Sequence, residues 1–180
     1  LRIEGLLKTN INNYQEQVRS ELEVLFNGCL EQFNRSREVE GEKIKYALLC
    51  LLADFNKELD KIKGAEPQYR QKIEEYVRQR FQEVLGNLIE ENRVLQEIAA
   101  LFLKSDIHEE VTRIQAHLEV MGELVASNES VGKKLDFICQ ELNREINTIG
   151  AKSFVYEINN CVVNCKELIE RMRELVRNVE

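Results

Sequence analysis

The chain has 180 residues, 43% hydrophobic and 32% charged, which is enough to bury a core and too charged for life inside a bilayer. One proline and eight glycines supply far less turn chemistry than a sandwich, barrel or α/β fold requires, so the expected fold is all-α, built of long antiparallel helical hairpins or a bundle. A formal net charge of −7 argues against a general polyanion binder while leaving room for a local basic site.

Residues 1–9 read as an incoming strand or loop, the stub of something upstream, and the opening Leu in place of Met leads to the expectation that the chain is the later part of a longer protein. A first predicted helix starts near Asn10 and carries Ile11, Tyr14, Val18, Leu22, Leu25 and Cys29 on one face, fading at 34–37. A second carries Ile44, Leu48, Leu51, Phe55, Leu59 and Ile62, with Lys63-Gly64 as its stop and Pro67 opening a third. That third helix carries Tyr69, Ile73, Val77, Phe81, Val84 and Leu88, and the short link predicts an antiparallel hairpin with the second. After a break near Glu91-Asn92, a short helix with Val94, Leu95, Ile98, Leu101 and Phe102 ends at Lys104-Ser105, completing a hairpin region over 10–104.

Residues 105–180 form the expected C-terminal helical domain that carries the site. Ile107, Val111, Ile114, Leu118, Met121 and Val125 are spaced 4, 3, 4, 3, 4, the seam of a helix packed along its length. A turn at Ser127-Asn128-Glu129-Ser130 leads to a helix over 131–149, then Gly150, then a closing helix striped by Phe154, Ile158, Cys161, Cys165, Leu168, Met172, Leu175 and Val179. The five cysteines lack CxxC spacing and read as reduced core residues of a cytosolic protein; Cys161 and Cys165 lack the partners of a zinc set. No apolar run reaches membrane length, so no membrane partner is expected.

Two stretches depart from a plain solvated face. In the first, Asp106 and Glu109 fit a capping box, yet Asp106, Glu110, Arg113 and His117 also form a line at spacing 4, 3, 4 beside the apolar seam. In the second, Asp136, Gln140, Asn143 and Asn147 repeat that spacing opposite Leu135, Ile138, Leu142, Ile146 and Ile149, while Glu141 and Glu145 stand one turn apart. Carboxylates at i and i+4 repel and Asn weakens a helix, so something must compensate. Arg113 or Lys152 from neighbouring helices is one candidate; a divalent cation, magnesium or manganese, is the other. A cation there, ringed by Lys133, Lys134, Arg144 and Lys152, would suit a phosphodiester, with His117 as general acid or base.

The segments DIHEEVTRIQAHL (106–118) and VGKKLDFICQELNREINTIGAKS (131–153), the closing ELIERMRELVRNVE and the earlier SREVEGEKI (36–44) together strongly resemble the YicC-like family of bacterial stress-induced proteins, most specifically its C-terminal region. Lys133-Lys134 stand where that family commonly has arginines. The resemblance implies a metal-dependent endoribonuclease acting on single-stranded RNA, using Mn2+ or Mg2+, in a cytoplasmic homo-oligomer, a hexamer. It makes Asp106, Glu109, Glu110, Asp136, Glu141 and Glu145 the metal or acid/base candidates, and Lys133, Lys134, Asn143, Arg144, Asn147 and Lys152 the RNA candidates. The alternative is a non-catalytic module that grips RNA or another nuclease, its acids satisfied by Arg113 and Lys152; a polar seam between subunits is a third.

Overall fold

The computed structural model describes the backbone of residues 2–85, 91–127, 129–153 and 155–179, and within these the side chains of 14–65, 71–83, 95–102, 104–127, 129–153 and 155–179. The fold is all-α, as expected: α1 (Arg2–Leu85), α2 (Glu91–Ser105), α3 (His108–Ala126), α4 (Gly132–Lys152) and α5 (Tyr156–Val176).

The largest correction concerns α1. Where the sequence predicts a stub and three helices, one helix of 84 residues runs through 2–9, through 34–43, and through Gly64 and Pro67. The hairpin expected within it does not form. A mid-helix glycine costs only about 1 kcal/mol and a proline about 3 kcal/mol. Against this, Ile44, Leu48, Leu51, Leu52, Phe55, Leu59 and Ile62 before the proline and Ile73 and Val77 after it are all buried, each at roughly 1.5–3 kcal/mol. The side chains of the predicted core positions Ile11, Tyr69, Val84 and Val94 lie outside the described ones, and Leu88, Asn128 of the predicted turn and Phe154 lie outside the described residues altogether.

The chain divides into two units, Leu1–Lys43 and Ile44–Glu180. In the first, every described side chain from 14 to 43 is exposed, including Tyr14, Val18, Leu22, Leu25, Cys29 and Phe33; only along-helix pairs such as Arg19–Glu23 at 3.1 Å support it. Cys29 and Cys50 are thus surface thiols, contrary to expectation, because neither falls on a covered face of α1.

In the second unit α4 packs on both α3 and α5. The stripes of α3 and α4 are buried as predicted, from Ile107 to Val125 and from Leu135 to Ile149, and Ile158, Cys161, Cys165, Leu168 and Met172 of α5 join the same core. Segment α1 is clasped to α5 by Asn164, whose Nδ2 donates to Glu58 Oε2 at 3.1 Å, and by Lys72 with Glu157 at 3.1 Å. Ser127 closes α3, its N–H and Oγ both donating to the Leu124 carbonyl.

Gly150 is no helix stop: α4 continues through it to Lys152, and Ser153 takes the C-cap position. A Cβ at 150 would lie 3.1 Å from Val162 Cγ1 on α5, so glycine here permits close approach of two helices. That extension keeps Lys152 on the helix, seven residues beyond Glu145 and on the same face.

Candidate functional site

The seam between the start of α3 and the end of α4 holds four charged side chains in an otherwise aliphatic contact. Arg113 on α3 donates from Nη1 to Glu145 Oε1 of α4 at 3.3 Å and from Nη2 to its own-helix neighbour Glu109. Lys152 on α4 donates from Nζ to Glu110 Oε1 of α3 at 2.8 Å and to the Asp106 carbonyl at 2.7 Å. The Asp106 carboxylate accepts the His108 N–H at 2.9 Å and so holds the first turn. The expected capping box is not completed: Ile107 rather than Asp106 takes the N-cap position, and Glu109 pairs with Arg113 instead.

Burial orders this cluster. The carboxylates lie underneath, Glu145 4% and Glu110 6% exposed, while their partners Arg113 and Lys152 are 50% and 29% exposed. A buried carboxylate is tolerable only when countercharged and hydrogen-bonded. Glu145, and after it Glu109, pushes the Arg113 guanidinium above its ordinary pKa range, so it stays fully charged. Glu110 Oε2 is buried with no partner among the described residues. Glu109, 71% exposed and paired with Arg113, stays at the surface, so the outer face of the cluster carries Arg113, Lys152 and one carboxylate above the two buried ones.

The remaining expected site residues are distributed along the same helices. His117 stands one turn beyond Arg113, half-buried. Glu141 is half-buried and paired with Arg144 at 3.6 Å, so the repulsion between Glu141 and Glu145 is relieved by two different arginines. Asp136 faces α5: Gln140 donates to it at 2.7 Å and Arg173 lies at 3.5 Å. Arg173 was not among the sequence candidates; it falls beside the α5 stripe, where only the α4–α5 register reveals its partner. Asn143 is half-buried and Asn147 exposed. Lys133 and Lys134 open α4, with Lys134 paired to Glu129 at 3.5 Å; they lie about 18 Å along the axis from Glu145 and are not brought to the cluster.

The fit to a divalent cation follows from these distances. Among the described residues no three His, Cys, Asp or Glu side chains converge to hold one ion. Of the expected ligands, Glu110 carries Lys152, Glu145 carries Arg113 and Glu141 carries Arg144, so no set of three among the described residues stands ready for an ion. Cys139, Cys161 and Cys165 are core thiols; burial pushes Cys139 up to about 11 and Cys165 up to about 12, leaving both protonated at neutral pH.

Comparison with known proteins places the cluster in context. Residues 62–180 match the family model described as the C-terminal part of the YicC-like endoribonucleases, a span that includes every cluster residue. A probable endoribonuclease YicC of Haemophilus influenzae is 34% identical over 180 residues, covering 100% of this chain and 62% of that protein. Another, from Clostridioides difficile, is 36% identical over 158 residues, covering 84% of this chain and 53% of that protein. The chain therefore spans between half and two thirds of the length of these relatives.

Proposed function

The chain belongs to the YicC-like endoribonuclease family, and from that premise we propose that it forms the helical part of an endoribonuclease that hydrolyses phosphodiester bonds of single-stranded RNA. The reading extends to a cytoplasmic homo-oligomer and to a requirement for Mn2+ or Mg2+. No helix among the described residues is long and apolar enough to cross a membrane. Because the acids of one chain do not converge, no chemical step is assigned to the ion.

The observation that carries the reading is the order of burial at the α3–α4 seam. Arg113 and Lys152 stand above Glu145 and Glu110, which fix them beside the exposed Glu109, and two cations held in place are what a phosphate gathering charge in its transition state needs. Arg113 is oriented by two carboxylates, one on each Nη, and its remaining N–H donors can meet a phosphate oxygen. To His117, one turn along α3 from Arg113 and half-buried, we assign the movement of a proton at the attacking or leaving oxygen.

A labelled single-stranded RNA incubated with the chain in Mn2+, in Mg2+ and in EDTA tests this. Internal cleavage with either cation, lost in Glu145→Gln and Glu141→Gln variants that keep their helical circular dichroism, is the expected result; undiminished cleavage in both variants would sink the assignment. A second reading is favoured by one observation: Glu145, Glu110 and Glu141 are already countercharged by Arg113, Lys152 and Arg144. On that reading the module binds RNA, or another nuclease, without cutting. RNA retention unchanged by EDTA, with no products on prolonged incubation, selects it.

A further inference from the structure

The outward face of α4 carries a pattern that the cluster does not use. Lys133, Phe137, Gln140, Arg144 and Asn147 are all exposed and spaced 4, 3, 4, 3, so they form one stripe along the helix, about one residue per 5.4 Å turn. Every member is cationic, aromatic or amide. In a chain with 32 acidic side chains, this stripe has none; Asp136 and Glu141 lie beside it, engaged by Arg173 and Arg144.

Phe137 is the anomaly within it. The other large apolar residues of α4, Leu135, Ile138, Leu142, Ile146 and Ile149, are buried, whereas Phe137 is 59% exposed. Leaving a phenyl ring in water forgoes the burial that its neighbours obtain. Its position also selects the partner. Lys133 lies one turn before it, Lys134 stands next to Lys133, and Arg144 follows two turns later, so the ring sits between cations. An apolar protein surface has no use for that charge, and a bare phosphate has no use for the ring. Both suit a polyanion with flat aromatic faces at regular intervals.

We infer that the Lys133–Phe137–Gln140–Arg144–Asn147 stripe is the track on which single-stranded RNA lies, with Phe137 as a base-stacking platform. Lysine and arginine hold phosphates, Gln140 and Asn147 reach base edges or ribose hydroxyls, and the phenyl face takes a base, as in single-strand binders that combine a basic track with aromatic stacking. The inference rests on the RNA reading above and adds to it a residue, Phe137, that neither the motif spacing nor the buried cluster singled out.

The test is fluorescence anisotropy of a fluorescein-labelled single-stranded oligouridylate on the full chain in EDTA, so that binding is read without cleavage. Phe137→Ala is expected to weaken binding about tenfold, the scale of one lost stack, with the slope of affinity against salt unchanged. Phe137→Trp keeps the affinity, and Phe137→Leu, which retains bulk without a ring, falls with Phe137→Ala. Lys133→Gln lowers the salt slope by about 0.7, the value for one single-strand phosphate contact. Wild-type affinity in Phe137→Ala, or full retention in Phe137→Leu, overturns the stacking role while leaving the RNA reading intact. A change in molar mass by light scattering in Phe137→Ala overturns it in favour of a contact between copies. Failure of the wild-type chain to bind the oligonucleotide removes both readings.

Discussion

Lys152 ties three groups together at the end of α4: its own helix, the Glu110 carboxylate and the Asp106 carbonyl. Without it, neither oxygen of the buried Glu110 carboxyl would be hydrogen-bonded among the described residues, since Oε2 already has no partner there. Lys152→Ala is therefore expected to destabilise the chain by about 2–3 kcal/mol in urea unfolding, somewhat under the cost of breaking a fully buried pair because the ammonium is partly in water. The double variant Lys152→Met with Glu110→Leu should recover most of that loss, by replacing a charge pair with apolar bulk. A single variant indistinguishable from wild type would mean that the pair contributes nothing. The cysteines make a second test at this scale. Cys29 and Cys50 are exposed while Cys139, Cys161 and Cys165 are buried, so a maleimide probe on the native chain should label two thiols and reach the other three only on unfolding. Rapid native labelling of Cys165 would contradict both its burial and its raised pKa.

At the scale of the elements, the 4-and-3 spacing of Ile107 to Val125 and of Leu135 to Ile149 was readable because those faces are buried along their whole length. What spacing could not show was where helices end. Gly64, Pro67 and Gly150 all carry stop signals, yet tertiary burial on both sides of the first two, and close packing on α5 at the third, override a local cost of about 1–3 kcal/mol. The candidate site was legible in its residues and in the possibility that Arg113 or Lys152 countercharges the acids; its layering was not, because which of two charged partners lies deeper depends on the α3–α4 register. The α1–α5 clasp gives a pH test. A hydrogen bond from Lys61, supported by one from Asn164, holds the Glu58 carboxyl below its ordinary range against an opposing push from burial. A depressed carboxylate stabilises the fold above its unfolded-state pKa, and that contribution is lost as pH falls through the folded value. Glu58→Gln should flatten the acid limb of the stability profile and leave neutral-to-alkaline slopes alone; identical acid limbs would rule the clasp out as a contributor.

Across the whole molecule, the two units differ in what maintains their helices. Residues 14–43 are helical with every side chain in water, whereas α3, α4 and α5 are joined through one core. In proteins most helical stability comes from packing one face rather than from helix propensity, and 14–43 has no such face covered. Native-state hydrogen exchange should accordingly find amides at 14–43 exchanging orders of magnitude faster than those at 135–149, and equal protection in both would show that 14–43 is covered in solution. The position of α4 has one more consequence. One face meets α3 through Glu145 and Lys152, a second meets α5 through Asp136 and Gly150, and the third carries the Lys133–Asn147 stripe. A saturation library scored separately for abundance and for binding of single-stranded RNA would thus find few silent positions in these 21 residues. Variants on the first two faces would be lost from the abundant pool, and those on the third would stay abundant but bind more weakly, so the periodicity of the helix would be written into which screen each position fails.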